Sequence, residues 1–289
     1  MAETYLGYRP GDGDTAWGGK YFTPEMAELP RHAVVALEHG PQADQVMLGF
    51  DSAATLLDAG YQQTEKNGYG TLRGGGFHVA IRTDMPGVTP AMWDWWFGWH
   101  GSESTRYKLW HPRAHASAHW GGDSGPDGSY VGRTSIIEEY LGSAYAKAAI
   151  AFVEPSTFGF DVSRLGTDVA VCARLGGSSE VPVDIGWFVH HVRAVAGGAE
   201  MRSRFWMGGP YIGVRRGGNR LADSVIRPIA AHQLPDPRDL LVHCSQEMNH
   251  LAGSCRKFTR SSLSPELGGV TPNGDRQIAT ATDLKGYVR

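Results

Sequence analysis

The fold is decided by residues 236–258, DPRDLLVHCSQEMNHLAGSCRKF, which predict one long helix. Asp236 as the N-cap and Pro237 in the first helical position are typical signals of a helix start. The helix carries an apolar stripe and, beside it, a stripe of polar side chains, so polar groups lie next to the face that the helix buries. The apolar stripe recurs at helical spacing and consists of Leu241, Cys244, Met248, Leu251 and Cys255.

Within this helix, His243 and Glu247 are four residues apart. Side chains at this spacing project from one helix face, so an imidazole and a carboxylate there can bind the same metal ion. His250 lies one turn further and is an alternative ligand. A shell of two histidines and two carboxylates would suit Zn²⁺ or a similar divalent ion and predicts a metal-dependent hydrolase. Upstream residues that could complete the shell are His111, His115, His119, Glu138 and Glu139.

From residue 130 onward, alternating and β-branched runs separated by glycine and proline predict an antiparallel sheet. The predicted strands are 131–141, 168–175, 185–195, 200–207 and 211–215, with a hairpin turn at Gly197-Gly198. We therefore expect an α+β fold in which a curved sheet grips the long helix and encloses a cavity. Thr89 and Pro90 predict the start of another helix over residues 91–100, and its almost entirely apolar sequence indicates burial.

Composition limits the function further. The net charge of −3 gives no electrostatic signal for nucleic acid or an anionic membrane. The absence of a secretion signal and of a long apolar run predicts a cytoplasmic protein, in which three cysteines are expected to be free thiols. We expect a small irregular lead-in over residues 1–80, a helix-grip catalytic domain over 81–260 and a loosely held tail over 261–289.

Five short motifs occur in order between residues 80 and 258. They are WDWWFGWH (93–100), RYKLWHPRAH (106–115), FVHHVR (188–193), RSRFW (202–206) and the helix pair His243 and Glu247. Together they resemble the 2,4-diacetylphloroglucinol hydrolase and phloretin hydrolase family. The resemblance implies a Bet v 1-like helix-grip domain preceded by a smaller N-terminal part. It also implies an enzyme that uses bound Zn²⁺ to cleave the carbon–carbon bond between an acyl group and a phloroglucinol ring.

The resemblance also implies the metal ligands. It selects His115 as the first histidine and assigns His243 and Glu247 directly. Of the two adjacent acids Glu138 and Glu139 only one can point inward, because successive strand residues face opposite sides. The resemblance favours Glu139, which precedes the strand end Tyr140-Leu141-Gly142 as the family's acid does. Three more histidines are expected to line or neighbour the site without binding the metal, namely His111, His119 and His250.

Two further side chains are placed by the resemblance against the phenolic groups of the substrate. We expect His190 to protonate the ring carbon, since an ordinary histidine pKa of about 6.5 allows a proton to be carried at neutral pH. Tyr107 is expected to hold a phenolic oxygen, and His191 lies on the opposite strand face. The chain lacks two polar contacts of the family, a tyrosine near Phe205 and an asparagine at Ala118, which predicts a monoacyl or dihydrochalcone substrate.

The expected chemistry is a retro-Claisen cleavage that gives phloroglucinol and a carboxylic acid. A bound metal would activate water and polarise the acyl carbonyl. The expected partner is thus a small acylated polyphenol, with neither nucleic acid nor membrane, while a homodimer is left open. Two other classes stay open as well: a metal-dependent ester or lactone hydrolase with the same pocket, and a protein of the same fold that binds an aromatic ligand without chemistry.

Overall fold

The computed structural model of this protein describes residues 7–15, 18–61, 67–122, 128–177, 182–215 and 220–262. Six α-helices lie in these ranges: α1 (Gly18–Tyr21), α2 (Arg31–His39), α3 (Pro90–Trp99), α4 (Ser104–Trp110), α5 (Arg220–Ala231) and α6 (Pro237–Ser262). Short 3₁₀ helices include Phe50–Leu57, Pro155–Phe158 and Gly209–Tyr211. The helix predicted from residue 237 is therefore present as α6.

The described residues also contain nine strands in one antiparallel sheet. The strands are β1 (Gly68–Thr71), β2 (Phe77–Pro86), β3 (His115–Gly121), β4 (Thr134–Leu141), β5 (Ala144–Val153), β6 (Val169–Gly177), β7 (Val183–Val195), β8 (Gly198–Met207) and β9 (Gly213–Val214). Their order is β1-β2-β8-β7-β6-β5-β4-β3, with β9 beside β7. The pairing of β2 with β8 joins the N-terminal strands to the C-terminal part of the sheet.

Helices α3 and α6 begin where local signals place their starts. The Thr89 side chain accepts a hydrogen bond from the Met92 backbone N–H at 3.3 Å, and Pro90 occupies the first turn of α3. At α6, Asp236 Oδ1 accepts a hydrogen bond from the backbone N–H of Arg238 at 2.8 Å. Each cap satisfies a backbone donor that the helix itself cannot pair and contributes about 1 kcal/mol.

Two apolar clusters pack on opposite faces of the sheet. Phe205 belongs to the cluster that packs against α6, whereas the next residue, Trp206, belongs to the other cluster, as strand alternation requires. Leu241, Met248 and Leu251 of α6 are fully buried in the first cluster. Each such side chain stabilises the fold by about 1.5–3 kcal/mol relative to an exposed position. The apolar stripe of α6 thus holds its polar stripe against the sheet.

The structure confirms the predicted α+β helix-grip architecture. Four predicted strands are present as β4, β6, β7 and β8. The prediction of a strand over residues 211–215 is wrong in extent, because Pro210 lacks a backbone donor and a 3₁₀ turn, Gly209–Tyr211, leaves only the two-residue β9. The sequence did not predict β2, β3 or β5. Alanine dominates β5, and this residue is depleted in strands.

The hairpin between β7 and β8 lies one residue earlier than predicted. Val195 pairs with Gly198, so the two-residue turn is Ala196-Gly197 rather than Gly197-Gly198. Gly197 has a φ of 80°, a left-handed conformation that glycine adopts without steric cost. With the turn at this position, the strand register places His190 opposite Ser203.

The predicted division of the chain at residue 80 falls inside β2, whose ladder with β8 runs from Phe77 to Pro86. The division into lead-in and catalytic domain stays a prediction, but a cut at this residue would split one strand. Of the predicted tail, residues 263–289 lie outside the described residues. Within the described ranges, every helix is too short or too polar to cross a bilayer.

Candidate metal centre

Three elements bring four predicted ligands together. His115 at the start of β3 lies directly opposite Glu139 of β4, and a register shift between His115 and Ser117 precedes the regular pairing of the two strands. Such a bulge re-aims a side chain at a strand end. Helix α6 supplies His243 and Glu247 from the turn that faces this strand end, since residues four apart share a helix face.

The ligand atoms have the spacing of a metal shell. His115 Nε2 lies 3.4 Å from His243 Nε2 and 3.4 Å from Glu247 Oε2. Glu139 Oε2 lies 3.6 Å from both imidazole nitrogens, and His243 Nε2 lies 3.8 Å from Glu247 Oε2. Tetrahedral zinc with bonds of about 2.0–2.2 Å separates its ligand atoms by about 3.4 Å. The candidate ligand atoms of His115, Glu139 and His243 all lie within 4.8 Å of one another.

The electrostatics of the cluster favour a cation. Burial raises the pKa of Glu247 to about 8, although nearby His243 lowers it. Burial also raises the pKa of Glu139, but His243 and a hydrogen bond from Tyr107 outweigh it and hold this pKa below its usual value. Burial keeps the pKa of His115 well below its usual value, so this imidazole is a neutral nitrogen donor. A buried and a partly buried carboxylate beside neutral imidazole nitrogen form a donor set that a divalent ion fits.

Hydrogen bonds fix the orientation of two ligands. His115 Nδ1 lies 2.9 Å from the Tyr107 backbone oxygen, and because a carbonyl oxygen only accepts, Nδ1 carries the proton and Nε2 faces the cluster. The Tyr107 hydroxyl donates to Glu139 Oε2 at 2.5 Å. Tyr107, predicted to hold a substrate oxygen, is thus bonded to a candidate metal ligand.

The structure separates the two adjacent acids. Glu139 lies in the cluster, whereas the Glu138 carboxylate accepts hydrogen bonds from Lys147 Nζ at 2.8 Å and from the Tyr145 hydroxyl at 2.5 Å. The side chains of Lys147 and Tyr145 are exposed. The expected alternation of strand faces accounts for this difference.

The remaining predicted histidines lie at different distances from the cluster. His111 stacks on His243 with ring centroids 4.9 Å apart, and burial lowers its pKa to about 2. His250 Nδ1 accepts a hydrogen bond from the Ala27 backbone N–H at 3.3 Å. His119 is exposed on β3, and His191 is buried with its Nδ1 3.0 Å from Arg202. Sequence reasoning did not foresee that His111 packs directly on a candidate ligand.

His190 differs from its prediction in protonation. It is 3% exposed and is surrounded by the rings of Phe97, Phe188 and Phe205, with centroids 4.7–5.8 Å away. Burial in these apolar surroundings lowers its pKa to about 3. The imidazole is therefore neutral at neutral pH, and the expectation of an ordinary pKa near about 6.5 does not hold. The two positions that lack family polar contacts, Ala118 and Phe205, are both buried.

Sequence reasoning missed two polar side chains near His190. Ser203 Oγ lies 2.7 Å from His190 Nδ1, and Ser203 and Cys244 are both fully buried. Alternation along RSRFW was the available signal for Ser203, because it places this residue on the same strand face as Phe205. Cys244 had been assigned only to the apolar stripe of the helix.

A pocket of about 280 Å³ adjoins the cluster. It lies where the first turns of α6 meet the end of β4, and it reaches His243 from the solvent side. Its polar lining includes His111, Arg113, Tyr140, Asp239 and Gln246. His243 therefore lies both in the cluster and in the lining of this pocket.

Several known proteins are similar to this chain. Among solved structures, ginseng major latex-like protein 151 from Panax ginseng is 14% identical, with a TM-score of 0.33 over 60% of this chain and 97% of that chain. A phloretin hydrolase of Eubacterium ramulus is 31% identical over 205 residues, 65% of this chain and 71% of the relative. A 2,4-diacetylphloroglucinol hydrolase of Pseudomonas protegens is 31% identical over 263 residues, 85% of this chain and 84% of the relative. The family described as "DAPG hydrolase PhiG domain" matches residues 48–254. The chain belongs to this family of 2,4-diacetylphloroglucinol hydrolases.

Proposed function

We propose that this protein is a metal-dependent hydrolase that cleaves the carbon–carbon bond between an acyl group and a phloroglucinol-type ring. The observation that carries the proposal is the largely buried cluster of His115, Glu139 and His243, with Glu247 Oε2 3.4 Å from His115 Nε2, in a chain of this family. The names of the relatives, 2,4-diacetylphloroglucinol hydrolase and phloretin hydrolase, support the substrate class.

The ligands proposed for Zn²⁺ are His115, Glu139, His243 and Glu247. When bound, the ion would supply a nucleophilic water at neutral pH and an electrophile for the acyl oxygen. Four protein ligands leave room for this chemistry only if the coordination number expands, which zinc allows. Tyr107 supports the shell by donating a hydrogen bond to Glu139.

The reaction balances as a hydrolysis. The ring carbon that carries the acyl group first accepts a proton while a neighbouring phenolic hydroxyl loses one, which gives a neutral dienone resembling a 1,3-diketone. Hydroxide adds to the acyl carbon, the bond between acyl carbon and ring carbon breaks, and its electron pair returns to the ring as a stabilised enolate. Proton transfers then give the arene and a carboxylic acid. The ring carbon can leave because flanking phenolic oxygens stabilise the charge.

The surroundings of His190 suit an aromatic substrate. The rings of Phe97, Phe188 and Phe205 form an apolar wall around a single polar imidazole edge. A planar phenol can pack on such rings and direct a hydroxyl to the imidazole. The buried Phe205 and Ala118 add no polar contact, which favours a substrate with fewer polar acyl groups than diacetylphloroglucinol.

A product assay tests this proposal. The zinc-loaded protein is incubated with monoacetylphloroglucinol, phloretin and phenyl acetate, and the products are separated by chromatography. We expect phloroglucinol together with acetic acid from the first substrate, and phloroglucinol with an arylpropionic acid from phloretin. If only phenyl acetate were cleaved, the proposal would be wrong and the protein would be an ester hydrolase. Binding of the ketones without any product would indicate a binding protein.

A further inference from the structure

A second cavity lies on the sheet face that points away from α6. Its volume is about 90 Å³, and it is lined by the end of the 3₁₀ helix Phe50–Leu57, by the residues that follow this helix and by strand β8. The β8 lining consists of Arg202 and Arg204, which share a strand face with Trp206 and its apolar cluster. The sheet therefore separates this cavity from α6 and the candidate metal ligands on it.

Two buried arginines form the floor of the cavity. Arg202 and Arg204 are 5% and 3% exposed, although arginine is almost never fully buried unless it is paired. The Arg202 guanidinium donates to the backbone oxygens of Leu56 and Gly60, and its Nη2 lies 3.0 Å from His191 Nδ1. Arg204 Nη1 likewise donates to backbone oxygens of the sheet. A carbonyl oxygen accepts a hydrogen bond but carries no charge that would balance a guanidinium.

The charge of Arg202 has no direct counterion in the part of the chain that the structure describes. Its contacts there are the two backbone oxygens and the imidazole, with no carboxylate among them, and its buried Nε has no hydrogen-bond partner among the same residues. Burial lowers the pKa of Arg202, because removal from water penalises the charged form. A buried charge without a counterion is costly, and an anion in the cavity would offset that cost.

The nearest carboxylates on this face are engaged with other side chains. Glu200 forms ion pairs with Arg193 at 2.9 Å and with Arg82 at 3.6 Å. Asp168 lies 3.4 Å from His191 Nε2. Both acids favour the charged guanidinium of Arg202 only from a longer distance. The floor of the cavity therefore carries an excess of positive charge.

The rim of the cavity is accessible. Residues 58–61 are exposed, so an ion can reach the buried floor from solvent. Asp58 also lines the cavity, but its side chain is 57% exposed and forms an ion pair with Arg164 at 2.9 Å. The volume of about 90 Å³ is well below the roughly 300–1,000 Å³ of pockets that bind drug-sized ligands. It is sufficient for a few water molecules or a small anion.

We propose that this cavity binds a small oxyanion, such as acetate or inorganic phosphate, between the guanidinium groups of Arg202 and Arg204. The planar fork of N–H donors in a guanidinium matches the oxygens of carboxylates and phosphates, and the charge strengthens each hydrogen bond. The site is distinct from the metal centre and does not depend on the proposed function. If that function holds, the carboxylic acid that the reaction releases is one source of the anion.

NMR of the zinc-loaded full-length protein, labelled with ¹⁵N in arginine, tests the site without any substitution. The Nε–H signals of Arg202 and Arg204 are assigned through NOEs to their neighbours on β8. Titration with sodium acetate, and separately with sodium phosphate, should shift both signals until they saturate. The Arg174 Nε–H is the internal control, because Arg174 Nε already lies 2.8 Å from Asp184 Oδ2. A saturable shift with only one of the two salts would identify that anion as the ligand.

The absence of saturation with both salts, or shifts that only follow those of Arg174, would overturn the proposal. This outcome is read in the wild-type protein, so it does not depend on the folding of a variant. It is also independent of turnover, because a protein that cleaves no acylphloroglucinol would still bind the oxyanion.

Calorimetry with two variants gives a second readout. Arg204→Gln should weaken the affinity for the bound anion about 10-fold to 100-fold, because a charge-assisted hydrogen bond is lost. Arg174→Gln is the matched control, since it removes a β6 arginine that lies outside the cavity lining and should leave the affinity unchanged. Zinc content is measured in both variants, because a bound metal ion can also take an oxyanion. Equal affinities in Arg204→Gln and the wild type would place the anion elsewhere and contradict the proposal.

Discussion

The imidazole of His115 stacks face to face on the phenol of Tyr107, with ring centroids 3.7 Å apart and planes inclined by 4°. The same two residues are joined by the hydrogen bond from His115 Nδ1 to the Tyr107 backbone oxygen. Tyr107 therefore holds His115 by its ring and its backbone, and Glu139 by its hydroxyl. One residue of α4 positions two candidate ligands that come from β3 and β4.

The first prediction concerns metal content. The purified protein should contain about one equivalent of a divalent ion, and His243→Ala should lose both the ion and activity, because the shell loses one of its nitrogen donors. Elemental analysis by mass spectrometry measures the ion. His119→Ala is the matched control, since this histidine is exposed on β3 and should keep the metal. Active wild-type protein without stoichiometric metal would contradict the proposal.

The second prediction separates the adjacent acids. Glu139→Ala should lose metal and turnover, since its carboxylate lies 3.6 Å from both candidate histidine ligands. Glu138→Ala should keep both within a few-fold, because an ion pair with exposed Lys147 contributes only about 0–1 kcal/mol. Metal analysis and steady-state rates of the two variants check this. Metal loss in Glu138→Ala instead would reassign the ligand.

The third prediction concerns the Tyr107 hydroxyl. Tyr107→Phe keeps the ring stack on His115 but removes the hydrogen-bond donor to Glu139. Loss of a residue that hydrogen-bonds to a metal ligand typically weakens metal affinity about 10-fold to 100-fold. Competition with a zinc-binding dye measures the affinity. Tyr130→Phe is the control, because the Tyr130 hydroxyl bonds to Asp94 at 2.7 Å, outside the cluster. Equal zinc affinities for both variants would show that this hydrogen bond does not support the shell.

The fourth prediction concerns stability in acid. His100 donates from Nδ1 to the Trp96 backbone oxygen at 2.9 Å, and burial lowers its pKa to about 4. The unfolded chain, with a histidine pKa of about 6.5, binds the proton more readily, so His100 destabilises the fold as pH falls from about 6.5 towards 4. Between pH 7 and pH 5 this amounts to about 2 kcal/mol.

Urea unfolding at the two pH values tests this effect in the wild type and in His100→Gln. The glutamine retains a hydrogen-bond donor but does not titrate in this range. The free energy of unfolding should therefore fall by about 2 kcal/mol less in His100→Gln than in the wild type. The same loss in both proteins would assign the acid sensitivity to other groups, such as the metal ligands.

Local sequence signals were sufficient to predict where helices α3 and α6 begin. Caps at Thr89 and Asp236 mark the starts of α3 and α6, and both act through neighbours within three residues. The pairing of His243 with Glu247 follows from helix geometry alone. By contrast, β5 was missed because its alanines have little strand preference and take their structure from β4 and β6 on either side.

By itself, the sequence determined the long helix α6, the two candidate metal ligands on it and, through its motifs, the family. Only the tertiary structure decided which acid joins the cluster, because the register that sets His115 opposite Glu139 depends on a bulge and on pairing between separate strands. It also decided the charge of His190. That pKa depends on burial among Phe97, Phe188 and Phe205, which no spacing along the chain reveals, since desolvation arises only when distant segments pack together.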